Sequence, residues 1–297
     1  MKGWVLSLLG IVVSVSIATA MAVAGSQGGV SVAGIPLFAL CGVVAFSIQW
    51  LLFFPAYLFQ TEKFYDLAGS ITYISLALIA VGLSGHNDAG SLLIAGMVIV
   101  WAARLGSFLF IRIMADGEDS RFASIKPDAL RFLMTWTLQG LWVFITFSAG
   151  LAAITSAQAQ TPGLYAALGA SMWLVGFIIE VVADQQKRNF RKLPENRDRF
   201  INQGLWRCSR HPNYFGEILL WCGVAVSALP LLSGWQYLTL VSPCFVYLLL
   251  TQVSGVKMLE ARARRRWGED PDYQAYLRQT PALLLNPWRL RRTSSVR

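Results

Sequence analysis

The sequence predicts an all-α, polytopic transmembrane helix bundle of about eight spans. Hydrophobic residues make up 55% of the 297 residues and charged residues only 14%, and the mean hydropathy is +0.52. A soluble domain carries about 25% charged residues, because water must wet its surface. The composition therefore excludes a disordered chain, a disulfide scaffold and an ordinary soluble enzyme.

Eight apolar stretches approach the length of about 20 residues that a membrane-spanning helix needs. They cover residues 4–24, 34–58, 67–83, 91–111, 132–155, 163–183, 213–229 and 236–256. The seventh is short unless it begins near Pro212, where proline fits the first turn of a helix. Seven spans remain if the short stretch is re-entrant or if the first is cleaved.

The first stretch has two interpretations. Lys2 precedes an apolar run, and Ala18-Thr19-Ala20 resembles a signal-peptide cleavage site. The run is long for the apolar region of a signal peptide, however, and only one positive charge precedes it. We expect a retained helix, with a cleaved signal peptide as the alternative.

Lys and Arg fall on one side of the predicted bundle. With the N-terminus inside, the outside segments are 25–33, 84–90, 156–162 and 230–235, and none contains Lys or Arg. Every Lys and Arg lies in an inside segment, except Arg104, which lies in the inward half of the fourth span. Since cytosolic loops are enriched in Lys and Arg, both termini and residues 184–212 are expected to face the cytosol. The net charge of +9 then indicates contact with anionic lipid headgroups and not with nucleic acid.

Metal and disulfide chemistry are not indicated. The four cysteines show no C-x-x-C spacing, and the two histidines, His86 and His211, are too few for a site of several His ligands. We expect no metal.

Residues 180–217 form the most informative segment. Asp184, Lys187 and Arg191 follow three- and four-residue spacing, so they share one face if the sixth helix continues past the membrane. A Lys–Arg pair at that level suits a phosphate group. The alternative is that both side chains extend to lipid headgroups.

The end of this segment, RHPNYFGE, is more specific. If Pro212 opens a helix, Asn213 and Glu217 lie on one face, with Glu217 about one turn into the bilayer. An ionisable group at that depth is costly and indicates a functional site. The alternative is that Glu217 pairs with Arg210 or His211 and only caps the helix.

These residues resemble the C-terminal domain of the steroid 5α-reductase family of membrane reductases, specifically its uncharacterised bacterial and plant branch. A second similar block runs from Trp101 to Phe122, where that branch usually has Tyr at the last position. A third block begins at Lys257 and resembles the C-terminal pattern of the sterol C14 and C7 reductases.

The resemblance implies that NADPH binds between the cytosolic ends of the last helices and their loops. It implies phosphate contacts from Lys187 and Arg191. The further cofactor-binding positions that it implies are Asp184, Trp206, Arg210, His211, Asn213, Tyr214, Glu217, Glu260, Arg264, Trp267 and Tyr276.

The first half of the chain resembles the steroid 5α-reductase family less closely than the second half does. Members of the family have a Gln-Glu pair on an early helix and a Tyr on a later one to hold the steroid carbonyl. Gln49 fits the first of these, but Trp50 follows it. A proton donor near the inner ends of spans two and three is still required, and its candidates are Tyr57, Glu62, Tyr65, Asp66 and Tyr73. We take Tyr65, Asp66 and Tyr73, with Glu217, as the catalytic candidates, although a Tyr at such a depth is also typical of an interfacial anchor.

The resemblance therefore implies an NADPH-dependent oxidoreductase acting on CH–CH groups. It would reduce a C=C bond conjugated to a carbonyl in a lipophilic, steroid- or isoprenoid-like substrate that enters from the bilayer. Residues 1–100 would form the substrate side, and residues 101–297 the catalytic and cofactor region of one bundle. We expect a multi-pass protein of a bacterial inner membrane, or of the endoplasmic reticulum in a eukaryote.

Two other functions remain open. An isoprenylcysteine-type methyltransferase using S-adenosylmethionine shares the pattern formed by Gly204, Arg210, His211, Pro212, Tyr214 and Gly216. S-adenosylmethionine has no phosphate, so Lys187 and Arg191 would then have no ligand. A transporter or structural bundle is the non-enzyme alternative, but no internal repeat typical of transporters is visible.

Overall fold

The computed structural model of the chain describes residues 3–85, 88–159 and 161–289. Lys2, His86 and residues 290–297, on which several of the predictions above depend, lie outside the described residues. Over the described ranges the chain is almost entirely helical, with one short antiparallel hairpin of β1 (Ser31–Val32) and β2 (Ile35–Pro36).

Each of the first seven predicted spans coincides with one α-helix, and other helices lie outside the spans. The α-helices are α1 (Gly3–Gly25), α2 (Leu37–Leu58), α3 (Tyr65–Leu83), α4 (Ala89–Asp116), α5 (Ala129–Ile154), α6 (Leu164–Lys192), α7 (Leu205–Cys208), α8 (Pro212–Ala228), α9 (Val241–Leu248), α10 (Val256–Trp267) and α11 (Pro271–Gln279).

Eight helical segments of the described chain are long and apolar enough to cross a membrane. They confirm the predicted all-α polytopic class, and the protein is a multi-pass membrane protein. The seventh begins at Pro212, as predicted, and reaches Leu231 through a short 3-10 helix. The sixth continues to Lys192, past the predicted end at 183, so Lys187 and Arg191 are helical.

The eighth span is composite. A 3-10 helix (Gly234–Leu240), α9, a π-helical turn (Leu249–Val253) and α10 follow one another. The chain departs from helical geometry at Gly255, with φ −100° and ψ −105°. A Cβ built there would come within 2.0 Å of the Leu250 carbonyl oxygen, so glycine is required at this break.

The chain divides into two compact units. Unit 1 comprises Met1–Ala170 and Val224–Ser242. Its central helix is α5, in which almost every residue from Gln139 to Ile154 is buried, and α1, α2 and α3 pack against it. A helix that is apolar on all sides occupies the interior of a bundle.

Unit 2 comprises Ser171–Gly223 and Pro243–Arg297. Within it α6 and α8 cross at two glycines. A Cβ on Gly176 would lie 2.5 Å from the Gly216 carbonyl oxygen, and a Cβ on Gly216 would lie 2.5 Å from the Gly176 carbonyl oxygen. Small residues allow membrane helices to approach this closely. The predicted functional division at residue 100 stays a prediction, because a division into compact units does not test a division of function.

Candidate functional site

In unit 2 the end of α6 carries the first group of predicted residues. Asp184 is buried, and the Nζ of Lys187 lies 4.7 Å from the centre of the Trp206 ring. The indole of Trp206 donates to the Ala183 carbonyl (2.9 Å). The structure therefore brings Lys187 and Trp206 together and fastens α7 onto α6.

A glycine turn makes this arrangement possible. Gly204 has φ +59°, in the left-handed region, and a Cβ there would lie 2.6 Å from the side-chain amide of Gln186. The Oε1 of Gln186 accepts a hydrogen bond from the Leu205 N–H (2.9 Å). Gln186 was not predicted as part of the site, because a Gln on an exposed helix end carries no distinctive pattern.

Arg210 joins three parts of unit 2. Its Nε and Nη2 lie 2.9 and 2.8 Å from the Oε1 of Glu260 on α10. Its Nη1 donates to the carbonyls of Leu277 and Thr280, at 3.0 Å each. The predicted pair of Arg210 and Glu260 is thus in direct contact, and the donors of the guanidinium are used within the protein.

The chain after α11 forms a strap, residues 280–286, along the turn before α8. The Arg210 N–H donates to the Pro281 carbonyl (2.9 Å), and the Asn286 N–H donates to the Cys208 carbonyl (3.0 Å). The buried hydroxyl of Ser209 donates to the Leu283 carbonyl (2.8 Å) and accepts from the His211 N–H (3.2 Å). Sequence reasoning missed Ser209, since nothing in its neighbours distinguishes it.

His211 is a buried ring at the turn before α8. It is 6% exposed and stacks on Tyr214 with ring centres 5.6 Å apart. Burial lowers the pKa of His211, and the nearby Glu260 carboxylate only partly opposes this. The Nε2 lies 3.5 Å from Glu260 Oε1, too long for a good hydrogen bond. Neither ring nitrogen has a hydrogen-bond partner among the described residues.

Asn213 and Glu217 lie on the face of α8 that meets α6, because the contacting Gly216 and Leu220 share that face. The Oδ1 of Asn213 is buried and has no hydrogen-bond partner among the described residues. Glu217 is half-buried.

Glu180 belongs to the same helix contact. It is 2% exposed, and its Cβ lies 3.1 Å from the position of a Cβ on Gly216. Sequence reasoning did not select Glu180. The indication was present, because an acidic residue inside an apolar span is rare outside functional sites.

The remaining aromatic candidates hold the loop between α6 and α7. The Trp267 indole donates to the Asp198 carbonyl (2.7 Å), and the Tyr276 hydroxyl donates to the Trp206 carbonyl (2.6 Å). Phe200 from that loop packs against both rings. Burial raises the pKa of Tyr276, so its hydroxyl stays protonated.

A cavity of about 240 Å³ opens on α10, lined by Lys257, Glu260, Ala261 and Arg264. The Nη2 of Arg264 lies 3.9 Å from the Oε2 of Glu260.

The catalytic candidates of the first half all lie in unit 1, whereas Glu217 lies in unit 2. Tyr73 is buried, with its ring edge-on to Trp101 at 5.1 Å. The Tyr65 hydroxyl donates to the Thr135 carbonyl (3.0 Å), and Asp66 faces Arg112 at 4.0 Å.

Gln49 on α2 is fully buried beside α3. Its Nε2 donates to the Thr72 hydroxyl (2.8 Å). Trp50, at the position where the family has Glu, donates instead to the Thr137 hydroxyl (3.0 Å) and lines an apolar cavity of about 380 Å³.

The two other proton-donor candidates precede α3 in the chain. Glu62 is 4% exposed, accepts the Asp119 N–H (2.7 Å) and pairs with Lys126 (2.5 Å). Burial alone would raise the pKa of Glu62, but the Lys126 and Asp119 hydrogen bonds outweigh it, so the pKa is lowered. Tyr57 stacks on Phe53. Glu62 therefore anchors a loop as a carboxylate and is poorly suited to donate a proton.

Residues 52–280 match the family model described as a protein of unknown function, DUF1295. The chain belongs to the DUF1295 family. The match contains every predicted site residue in both units, whereas Gln49 and Trp50 precede it and most of the strap follows it.

Curated relatives of this DUF1295 protein carry one name, 3-oxo-5-alpha-steroid 4-dehydrogenase 1. The protein of Bos taurus is 35% identical over 69 residues, covering 23% of this chain and 26% of the relative. The Mus musculus protein is 38% identical over 60 residues (20% and 24%), and the Homo sapiens protein is 36% identical over 61 (20% and 24%).

The chain thus spans about a quarter of the length of the curated relatives it matches. This similarity confirms the resemblance to the steroid 5α-reductase family. No solved structure shows a significant match.

Within the part of this DUF1295 chain that the structure describes, no group of three or more His, Cys, Asp or Glu side chains is placed to hold a metal ion. His86 lies outside that part, and the expected absence of a metal stays a prediction.

Proposed function

We propose that this DUF1295 protein is an NADPH-dependent membrane oxidoreductase. It reduces a C=C bond conjugated to a carbonyl in a lipophilic substrate of steroid or isoprenoid type. The observation that carries the proposal is the buried Oδ1 of Asn213, which has no hydrogen-bond partner in residues 3–85, 88–159 and 161–289 and lies on one helix face with Glu217. The similarity to relatives named as dehydrogenases of 3-oxo steroids supports the same reaction class.

The residues of unit 2 fit a nicotinamide dinucleotide. A buried acceptor without a donor is costly, and the amide N–H of a nicotinamide carboxamide would satisfy Asn213. Lys187 and Arg191, four residues apart on the polar end of α6, suit a phosphate group. When bound, the cofactor supplies a hydride, and the apolar surroundings of the helices exclude competing water.

The other candidates support the site through the protein itself. Three of them donate hydrogen bonds within the protein. Arg210 donates to Glu260, and Trp267 and Tyr276 donate to backbone carbonyls. We infer that they position α10 and the turn at His211. For Arg210 this follows from donor counting, since a guanidinium occupied by four bonds has few donors left. Asp184, Lys187, Arg191, Tyr214 and Glu217 stay proposed contacts on the strength of the family resemblance.

The reduction also needs a proton donor that polarises the enone oxygen as hydride reaches the β-carbon. Of the unit 1 candidates, we propose Tyr73, a buried phenol on α3. Tyr65, the other phenol candidate on this helix, donates its hydroxyl hydrogen to the Thr135 carbonyl. A phenol near the carbonyl would polarise the double bond and accelerate the reaction by about 10²–10⁴-fold.

We propose that residues 184–212 and both termini face the cytosol, as the Lys and Arg distribution predicts.

The test is ligand binding followed by turnover. Purified protein in nanodiscs is titrated with NADPH and, separately, with S-adenosylmethionine, and its thermal stability is recorded. NADPH oxidation is then measured with a panel of steroidal and acyclic enones. We expect stabilisation by NADPH alone and oxidation that depends on an enone. Methyl transfer from S-adenosylmethionine to a lipid or thiol, with no enone-stimulated oxidation, would contradict the proposal.

A further inference from the structure

We propose that the strap is a further membrane contact of unit 2, in which Leu284 and Trp288 insert among the headgroups of an anionic lipid surface. The strap, residues 280–286, is followed by a 3-10 helix (Pro287–Arg289) that carries Trp288. Neither side chain belongs to a predicted span or to the site described above. The inference does not depend on the reaction that the protein catalyses.

Leu284 and Trp288 are unusually exposed for apolar side chains. Among the described residues of unit 2 they are the most exposed large apolar side chains, at 68% and 74%, ahead of Val253 in the eighth span at 63%. Leu283 and Leu285, on either side of Leu284, are half-buried, so the strap turns one leucine outward and its neighbours inward. Large apolar side chains exposed close together in the chain indicate a surface that contacts a membrane or another protein.

The start of α8 gives the level of the strap relative to the membrane. The seventh span begins at Pro212. The Asn286 N–H donates to the carbonyl of Cys208, four residues before Pro212 (3.0 Å), and the Arg210 N–H donates to the Pro281 carbonyl (2.9 Å). The strap is therefore fastened to the chain where α8 enters the membrane.

A contact on α6 gives the same level. The Trp206 indole donates to the carbonyl of Ala183 (2.9 Å), the residue at which hydropathy ends the sixth span. Cys208, which binds the strap, follows in the same short helix as Trp206. The strap thus lies at the membrane boundary, where tryptophan is enriched because an apolar ring and a polar N–H suit the headgroup level.

The charge around the strap selects an anionic lipid surface. Residues 280–297 contain no Asp or Glu, and their arginines are Arg289, Arg291, Arg292 and Arg297. Burial raises the pKa of the Cys208 thiol, and the nearby Arg289 and Arg207 partly oppose this rise, so both cations lie beside the strap. A second copy of the chain would bring the same positive charge and be repelled, whereas anionic headgroups attract it.

Contact with lipid would also stabilise the turn before α8. The strap accepts a hydrogen bond from the Ser209 hydroxyl at the Leu283 carbonyl (2.8 Å) and another from the Arg210 N–H. This turn leads directly to His211 and Asn213. A strap held by lipid therefore keeps the polar groups of the turn bonded.

The first experiment locates the Trp288 ring. The full chain is placed in nanodiscs with or without lipid brominated on the acyl chain near the headgroup, and its tryptophan fluorescence is compared with that of Trp288→Phe. The difference between the two proteins is the emission of Trp288. We expect brominated lipid to quench this difference and water-soluble acrylamide to leave it largely unquenched. Quenching by acrylamide alone places Trp288 in water, and quenching by neither places it under protein, and either result overturns the inference.

The second experiment measures how firmly lipid holds the strap. Hydrogen–deuterium exchange of the Arg210 and Asn286 amides is followed in Leu284→Ser and in the matched control Leu193→Ser. Leu193 is also exposed, at 48%, but it follows the end of α6, about 15 Å of helix past the predicted end of the sixth span. We expect Leu284→Ser to accelerate exchange by about 10-fold and Leu193→Ser to leave it unchanged.

The same measurement tests the charge of the lipid. In the unmodified protein, anionic lipid added to zwitterionic nanodiscs should slow exchange of the two amides by about fivefold. Equal exchange in Leu284→Ser and Leu193→Ser overturns the lipid contact, and equal exchange with and without anionic lipid overturns the choice of an anionic surface. Trp288→Phe keeps an apolar ring at its position, so the fluorescence experiment decides the question even if Leu284→Ser folds poorly.

Discussion

Arg210 and Glu260 form a compact ion pair in which two guanidinium nitrogens, Nε and Nη2, lie within 2.9 Å of one carboxylate oxygen. Each side chain is 16% exposed. The same guanidinium also reaches the carbonyls of Leu277 and Thr280. One side chain therefore connects the turn before α8 to α10 and to the strap.

Removing either member of this pair should destabilise unit 2. Arg210→Ala leaves Glu260 and two carbonyls without their donor, and we expect a loss of about 2–3 kcal/mol, given the strength of charge-assisted hydrogen bonds. Arg210→Lys should recover little, because an ammonium cannot reproduce the planar fork. The measurement is equilibrium unfolding in detergent, with the exposed Arg278→Ala as control. Equal stability of Arg210→Ala and the control would show that the pair contributes nothing.

Lys187 and Arg191 should determine the preference for a phosphorylated cofactor. If they hold the 2′-phosphate, alanine at either position weakens NADPH by about 10- to 100-fold and NADH far less. If they contact the pyrophosphate instead, both cofactors weaken together. Isothermal titration of each variant separates these cases, with Lys192→Ala at the end of the same helix as control. Unchanged affinity for both cofactors would leave lipid headgroups as the partners.

Glu217→Gln should abolish turnover in a folded protein. The substitution keeps size and one acceptor but removes the charge and adds a donor, so a carboxylate contact to the nicotinamide amide is lost. We expect normal expression and membrane insertion, and loss of enone-dependent NADPH oxidation. Full activity in this variant would assign Glu217 to helix capping.

Tyr73→Phe tests the proton donor. Removing the hydroxyl should lower kcat by about 10²–10⁴-fold and leave NADPH affinity unchanged. Tyr65→Phe is the matched control on the same helix, and it should mainly lower stability, because its hydroxyl bonds the Thr135 carbonyl. Equal kinetic losses in both variants would argue for a packing role.

The Glu62–Lys126 pair makes the stability of unit 1 depend on pH. The pKa of Glu62 is lower in the folded protein than its ordinary value of 4.5. The unfolded chain therefore takes up a proton first as the pH falls. The stabilisation is complete well above pH 4.5 and is lost as the pH falls through the folded pKa.

Unfolding measured between pH 3 and pH 7 should show this loss, and Glu62→Gln should remove most of the dependence in that range. An unchanged pH profile in Glu62→Gln would assign the dependence to other carboxylates.

The sequence alone determined the fold class and the positions of the spans. Burial of about 20 apolar residues in a bilayer is a local property, so hydropathy predicts each helix without knowledge of its neighbours. Spacing also placed Asn213 and Glu217 on one face of α8, and Pro212 at its start. The family resemblance depended on short linear motifs, which are readable in the same way.

Only the tertiary structure decided which side chains meet and which polar atoms remain available. The pairing of Arg210 with Glu260 joins residues 50 positions apart, and no local pattern encodes such a contact. The same holds for four other features, which are the strap, Ser209, buried Glu180 and the cavity beside Lys257. The physical reason is that hydrogen bonds and close helix crossings depend on distances in space, whereas the periodicity of a helix records only which of its faces is apolar.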